Sequence, residues 1–208
     1  MYYLSAPVFR YENPQAGRLR EHHQFGVEFF GAESSSADAE VIALSMHLFE
    51  KLRIRGLKAR INSIGCKACR PAYNEALKAF FAQNRAGLCR TCLERLEKNP
   101  LRILDCKEAA CAPLIKRAPH ITQSLCAACA AHFGSLKERL DTLGIAFEID
   151  PYIVRGLDYY TRTVFEVVAQ GIGAQGTVCG GGRYDVLVEA LGGPPTQGVG
   201  FGLGLERL

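Results

Sequence analysis

No stretch of this 208-residue chain approaches the roughly 18 consecutive apolar residues that a membrane-spanning helix requires, so no transmembrane helix is expected. The opening residues, Met1 to Pro7, lack the basic and apolar regions of a secretory signal, which makes a cytoplasmic protein the expectation. Internal repeats and low-complexity tracts are absent as well. Nor is the charge extreme: the formal net charge is +4, with 22% charged and 48% hydrophobic residues, ordinary for a soluble globular protein. A chain of this length can bury a substantial core as one large domain, or one domain with a smaller companion.

What the chain has in unusual supply is cysteine. There are nine, and eight of them lie between Cys66 and Cys129. In a cytosolic setting such a cluster points to metal binding or plain burial rather than disulfides. Cys66-x-x-Cys69 and Cys89-x-x-Cys92 read as two knuckles, spaced to close one tetrahedral four-cysteine zinc site. Cys106, Cys111, Cys126 and Cys129 could build a second, although Cys126 and Cys129 fall on an expected helix rather than in a tight turn. Cys179 stands apart and reads as a small buried residue. The charge follows the cysteines: residues 66–133 hold eleven Lys and Arg against five Asp and Glu, a local +6 that leaves the remainder at −2. Such a segment suits either a polyanionic partner or an ordinary solvated surface.

Residues 2–12 and 22–31 read as two strands of a long antiparallel hairpin, with Pro14 and Gly17 marking the loop between them. Ser35 three residues before Asp38 forms a capping-box pattern, opening a helix to about Arg53. Alternation from Leu57 to Ser63 predicts a half-buried strand. Residues 66–133 are helical in pattern and broken at Pro100 and Pro119; a further helix runs from about Ser124 to Leu143, stopped by Gly144. Strands are expected at 145–149, 163–170, 175–181 and 198–206, with a short helix at 184–191. The outline is an α+β fold: an antiparallel sheet with flanking helices and a helical insertion subdomain. It divides into a core of residues 1–65 and 134–208 around an insertion at 66–133.

Four segments carry chemistry. The run from Arg155 to Glu166, Arg-Gly-Leu-Asp-Tyr-Tyr-Thr-Arg-Thr-Val-Phe-Glu, crowds an arginine, an aspartate and two tyrosines ahead of a strand. That mixture suits a pocket reading a small polar ring beside an anion; a tyrosine-rich edge strand is the plainer alternative. Phe9-Arg10-Tyr11-Glu12 ends the first strand, Arg18 lies in the loop, and Gln24, Gly26 and Glu28 share one face of the second strand. Arginine there can grip phosphate oxygens, and an acid can accept from an amine, although cross-strand ion pairing needs the same residues. Gly180-Gly-Gly-Arg-Tyr-Asp185 lets backbone approach a ligand where a Cβ would clash. The alternating glycines of 198–204, ending at Glu206 and Arg207, leave a flat groove with a cation at its end.

The Arg155 segment, with its Thr-x-Thr continuation, closely resembles the signature peptide of histidyl-tRNA synthetases, and Gly176 to Asp185, with its three glycines followed by Arg-Tyr-Asp, looks like the other histidyl-specific peptide. Phe9 to Glu12 and Gly198 to Arg207 resemble the second and third motifs of class II aminoacyl-tRNA synthetases. The matches span nearly the whole chain in the family's order. The resemblance implies a class II synthetase-type sheet and activation of L-histidine by ATP with Mg, followed by transfer to tRNA(His). It further implies that Arg10 and Arg155 flank the α-phosphate, Arg18 and Arg207 hold the pyrophosphate end and Glu12 faces adenine. Gln24 and Glu28 would hold the ammonium, with Tyr159, Tyr160 and Tyr184 around the imidazole and Arg155 beside them. The family's first class motif and anticodon-binding domain have no match, which implies a fragment of a larger enzyme that is a homodimer when complete. The resemblance itself asks for no zinc. Two other readings stay open. One is a non-catalytic, synthetase-like regulatory subunit of ATP phosphoribosyltransferase, expected to have lost several of these arginines and the tyrosine peptide. The other is an RNA-binding zinc module.

Overall fold

The computed structural model describes residues 1–11, 19–155, 159–169 and 176–208, with the side chain of Arg207 outside the described set. Seven strands form one sheet in the order β1-β2-β7-β6-β5-β3-β4. They are β1 (Tyr2–Phe9), β2 (Glu21–Phe30), β3 (Leu57–Ser63), β4 (Phe147–Ile149), β5 (Thr161–Ala169), β6 (Thr177–Arg183) and β7 (Gly198–Gly204). β1 and β2 make the expected hairpin, with Tyr2 opposite Glu28 and Phe9 opposite Glu21. The sheet is not wholly antiparallel: β3 and β4 run parallel, Ala59 opposite Phe147. Parallel neighbours need a long crossover, and here the chain between them is the helical segment together with α5 (Ala127–Thr142).

One face of the sheet is apolar. Val27, Val199, Phe201, Leu203, Phe165 and Val167 pack there against Val41, Ile42 and Phe49 of α1 (Ser35–Lys51) and Leu136 and Leu140 of α5. A second buried cluster joins α2 (Arg70–Gln83) and α3 (Arg90–Lys98) to the short α4 (Ala112–Ile115), through Tyr73, Leu77, Phe81, Leu96, Ile103 and Ile115. The expected helix at 184–191 is a single turn, α6 (Leu187–Ala190), and α5 begins at Ala127 rather than Ser124.

Ser35 and Asp38 do not form the expected capping box. Ser34 caps α1, its hydroxyl accepting from the Ser36 amide at 3.2 Å. Asp38 instead faces inward, fully buried, where Arg183 at the end of β6 donates Nε to Oδ1 at 2.9 Å and adds its Nη2. Thr163 Oγ1 donates to Oδ2 at 2.6 Å, and His132 Nε2 lies 2.6 Å from the same oxygen. Arg183 completes its fork on the carbonyls of Ala32 and Ser34 and on Asp185. Burial alone would raise the Asp38 pKa, but hydrogen bonds from His132, Arg183 and Thr163 bring it below its ordinary value.

A helix that looked self-capped is therefore bolted through the core to β5 and β6. Replacing Asp38 by Ala removes one partner of a buried pair and leaves Arg183 with Asp185 and two carbonyls, at a cost of about 3–5 kcal/mol. A urea titration of the variant should read a loss in that range. Since the folded-state pKa of Asp38 is depressed, its contribution is present above about pH 4 and is lost as pH falls further. The urea midpoint of the parent chain should drop across that acid range, and Asp38→Asn should flatten the drop.

Candidate active site

The other face of the sheet is paved with glycine. In register, Glu28 lies opposite Gly200, which lies opposite Gly182; Gly26, Gly202 and Gly180 form the next row, ending at Glu166 on β5. Residues opposite one another point the same way, so this face has almost no side chains of its own across β6 and β7. The side chains around it lie down on the backbone. A Cβ on Gly200 would stand 2.0 Å from Glu28 Oε2, one on Gly180 2.4 Å from Arg155 Nη1, and one on Gly198 2.2 Å from the Tyr184 ring. A Cβ on Gly182 would meet the Tyr160 ring at 2.9 Å, and one on Gly202 the Gln24 amide at 2.8 Å.

On that floor five of the sequence-selected residues converge. The Tyr184 hydroxyl donates to Glu28 Oε2. Ring centroids of Tyr159 and Tyr160 are 4.7 Å apart, and Tyr184 meets both edge-on at 6.0 and 6.5 Å. The Arg155 guanidinium lies 5.6 Å from the centre of the Tyr160 ring, a cation–π distance. Its Nη1 pairs with Glu166 Oε1 at 3.2 Å, while Thr177 Oγ1 donates to Oε2 of the same carboxylate at 3.0 Å. Glu166 and Thr177 had no assigned role in the sequence; the signal for Glu166 is that alternation along β5 sets it on the glycine face. Burial raises the Glu28 pKa, partly offset by the Tyr184 hydrogen bond. Burial likewise pushes the Tyr159 and Tyr184 phenols up, so both stay protonated donors.

Arg10 stands apart from this cluster. Its Nη2 donates to His22 Nε2 at 2.9 Å, and His22 precedes Gln24 and Glu28 on the same face of β2, beside Gly204. Burial and then the Arg10 charge hold the His22 ring below its usual pKa, leaving it neutral as an acceptor. Gln24 occupies the row between His22 and Glu28, so these residues form one strip along β2. Beyond β7, His23 donates its backbone N–H to Glu206 Oε1 at 2.8 Å, with its ring Nδ1 2.9 Å away. Those contacts bring the Glu206 carboxyl down to about 2 and tie the turn leading to Arg207 onto β2. Glu12 and Arg18 lie outside the described residues, as does the Arg207 side chain. A groove of about 1170 Å³ along α1 and residues 53–57 contains none of the selected residues.

The cysteines do gather in fours, but not in the expected fours. Cys66 and Cys69 join Cys126 and Cys129; Cys89 and Cys92 join Cys106 and Cys111. The reason is the stiffness of α2. Its 14 residues carry the chain roughly 20 Å from the first knuckle before the second begins. Cys126, by contrast, opens the helix that returns to the sheet. Cys179 is buried alone on β6, as expected.

The family model described as Histidyl-tRNA synthetase matches residues 1–208. The curated histidine–tRNA ligase of Caldanaerobacter subterraneus subsp. tengcongensis is 58% identical over the whole chain, and that of Thermoanaerobacter pseudethanolicus 59%. The chain spans 50% of the length of each of these relatives. Among solved structures, apo S. aureus histidyl-tRNA synthetase is similar at 42% identity and a TM-score of 0.75, covering 99% of this chain and 48% of that one. An ATP phosphoribosyltransferase regulatory subunit/histidyl-tRNA synthetase from Bacillus halodurans shares the fold at 24% identity and a TM-score of 0.63, covering 97% of this chain and 55% of that one. With a family match over residues 1–208 and relatives 58–59% identical along it, this chain belongs to the histidyl-tRNA synthetase family.

Proposed function

We propose that the glycine-floored face activates L-histidine with ATP, supplied with Mg, to histidyl-adenylate, and that the whole protein passes the histidyl group to tRNA(His) in the cytoplasm, working as a homodimer. The observation that carries this reading is the group Glu28, Tyr184, Tyr160 and Arg155, lying on a strip of backbone without Cβ atoms, with Tyr159 packed against the two tyrosine rings. A carboxylate suits an α-ammonium, and phenols suit the nitrogens of an imidazole ring. A site that hydrogen-bonds a ring nitrogen rejects an apolar analogue strongly, because its own buried polar groups would be left unpaired. Gln24 would stand beside Glu28 at the amino-acid end.

Activation brings two anions together, the histidine carboxylate and the α-phosphate. Alignment and fixed positive charge therefore do most of the work. Arg155 fits this role through its position. It is anchored by Glu166 and stacked on Tyr160, so its fork is oriented before substrate arrives. Arg10, steadied by His22, would meet the α-phosphate from the other end of the strip. Arg207 and Arg18 would meet the pyrophosphate and Glu12 the adenine. The regulatory-subunit alternative draws only on a fold likeness at 24% identity and expects the tyrosine cluster and arginines to be lost, whereas this chain has them.

Arg155→Ala in the full-length protein should lower histidine-dependent ATP–pyrophosphate exchange by about 100-fold or more, with ATP affinity near that of the parent. Near-normal exchange would refute the assignment. Glu28 supplies a second check, with its sign set by its raised pKa. A carboxyl that keeps its proton to higher pH binds an ammonium only after losing it, so KM for histidine should rise as pH falls from neutrality into the acid range. Glu28→Gln should lessen that dependence, leaving the part that the substrate's own imidazole contributes at about pH 6.5, and weaken histidine by about 10- to 100-fold, the range for one charged hydrogen bond. An unchanged pH profile in Glu28→Gln would exclude Glu28 as the ammonium partner.

A further inference from the structure

Within the first cysteine tetrad, Sγ of Cys66 lies 3.6 Å from that of Cys69 and 3.9 Å from that of Cys126, and Cys69 to Cys126 is 3.8 Å. In the second, Cys89 and Cys106 are 3.8 Å apart, and within each tetrad all four sulfurs lie within 4.8 Å of one another. Four sulfurs at about 2.3 Å from a tetrahedral zinc stand about 3.8 Å from each other. The tetrads therefore match the edges of a ZnS4 tetrahedron.

The surroundings also favour thiolates. The amides of Cys66 and Ala68 donate to Cys69 and Cys66 sulfurs at 3.2 and 3.4 Å, and the Cys89 amide donates to Cys111 at 3.2 Å. Cys69, Cys89 and Cys126 cap the N-termini of α2, α3 and α5 with no side-chain hydrogen bond there, where the helix dipole favours an anion. Gly65, at φ +68°, leaves room at the knuckle: a Cβ there would stand 2.9 Å from Cys69 Sγ. Four thiolates this close would repel one another, and a dication at their centre removes that conflict.

We propose that each tetrad holds one structural zinc(II), and that the first zinc braces the tyrosine segment of the glycine-floored face. Binding converts four thiols to thiolates, their protons leaving to solvent. The first tetrad joins the exit of β3, the start of α2 and the start of α5. From there two links run to the site: Arg70, next to Cys69, donates to the Tyr160 carbonyl, and Gly65 and Ile64 bond both backbone groups of Arg162. Arg162 sits at φ 50°, where β5 breaks register, so its position depends on those neighbours. The second tetrad lies within the helical segment and makes no such link among the described residues.

The test is metal content by elemental analysis of this chain, purified without chelator, with paired substitutions that separate the two groupings. The parent should hold close to two zinc ions. Cys66→Ser with Cys126→Ser should hold one, as should Cys89→Ser with Cys106→Ser, whereas Cys66→Ser with Cys89→Ser should hold none. Grouping in chain order predicts the reverse, with one ion kept in the last variant and none in the first, and would overturn the assignment. Because a substituted chain can misfold, the native chain is also titrated with a mercurial while zinc release is followed; eight thiols should react as two zinc ions leave. Protein that has no zinc and takes up neither zinc nor cobalt when they are added overturns the proposal outright. Hydrogen exchange tests the brace: loss of the first site should speed exchange at residues 160–163, and loss of the second should not. Equal protection there in both variants would remove the bracing role.

Discussion

A side chain can lie flat on a β-sheet only where the strand beneath it has no Cβ, and this molecule is built around that constraint. Gly180 and Gly182 on β6 and Gly198, Gly200 and Gly202 on β7 lie under Arg155, Tyr160, Tyr184, Glu28 and Gln24. The contacts are so close that alanine at several of these positions would collide with a functional group. The floor is also where hydrogen-bonding side chains from β2, β5, β6 and the tyrosine segment meet, because register brings their rows together.

A sheet with one face nearly free of side chains must take its stability from the other. There Phe165, Val199, Phe201 and Leu203 pack on α1 and α5, and the buried Asp38–Arg183 pair ties α1 to β6. Arg183 immediately precedes Tyr184 and is bonded to Asp185, so the ion pair on the helical face holds the residue that meets Glu28 on the open face. Thr163, next to Arg162 within the local break in β5, uses its hydroxyl on the same carboxylate. The two faces thus share anchors.

The cysteine tetrads bear on the electrostatics of the helical segment. Each zinc tetrathiolate is a dianion, so two of them would bring residues 66–133 from a formal +6 to +2. The basic character that suggested a polyanionic partner then rests on where individual lysines and arginines stand rather than on total charge. The second centre, formed by Cys89, Cys92, Cys106 and Cys111, would give the second apolar cluster a covalent-like frame.

Much of this was legible in chain order. Alternation marked β3 from Leu57 to Ser63, glycine spacing marked β6 and β7 as strands that backbone or side chains can approach closely, and the tyrosine segment stood out as a crowd of polar and aromatic groups. These are local properties, set by which residues a pleated strand or a turn accepts. What chain order could not carry was pairing. Asp38 matches a capping box as well as it matches a buried anchor, and only the packing of α1 against β6 brings Arg183 to it. Eight cysteines at plausible spacings admit several groupings; the choice among them followed from the length of one helix, which moves the second knuckle away while the returning chain brings Cys126 back. Residue type and periodicity act over a few neighbours, whereas partners 57 or 145 residues apart meet only once the whole sheet has formed.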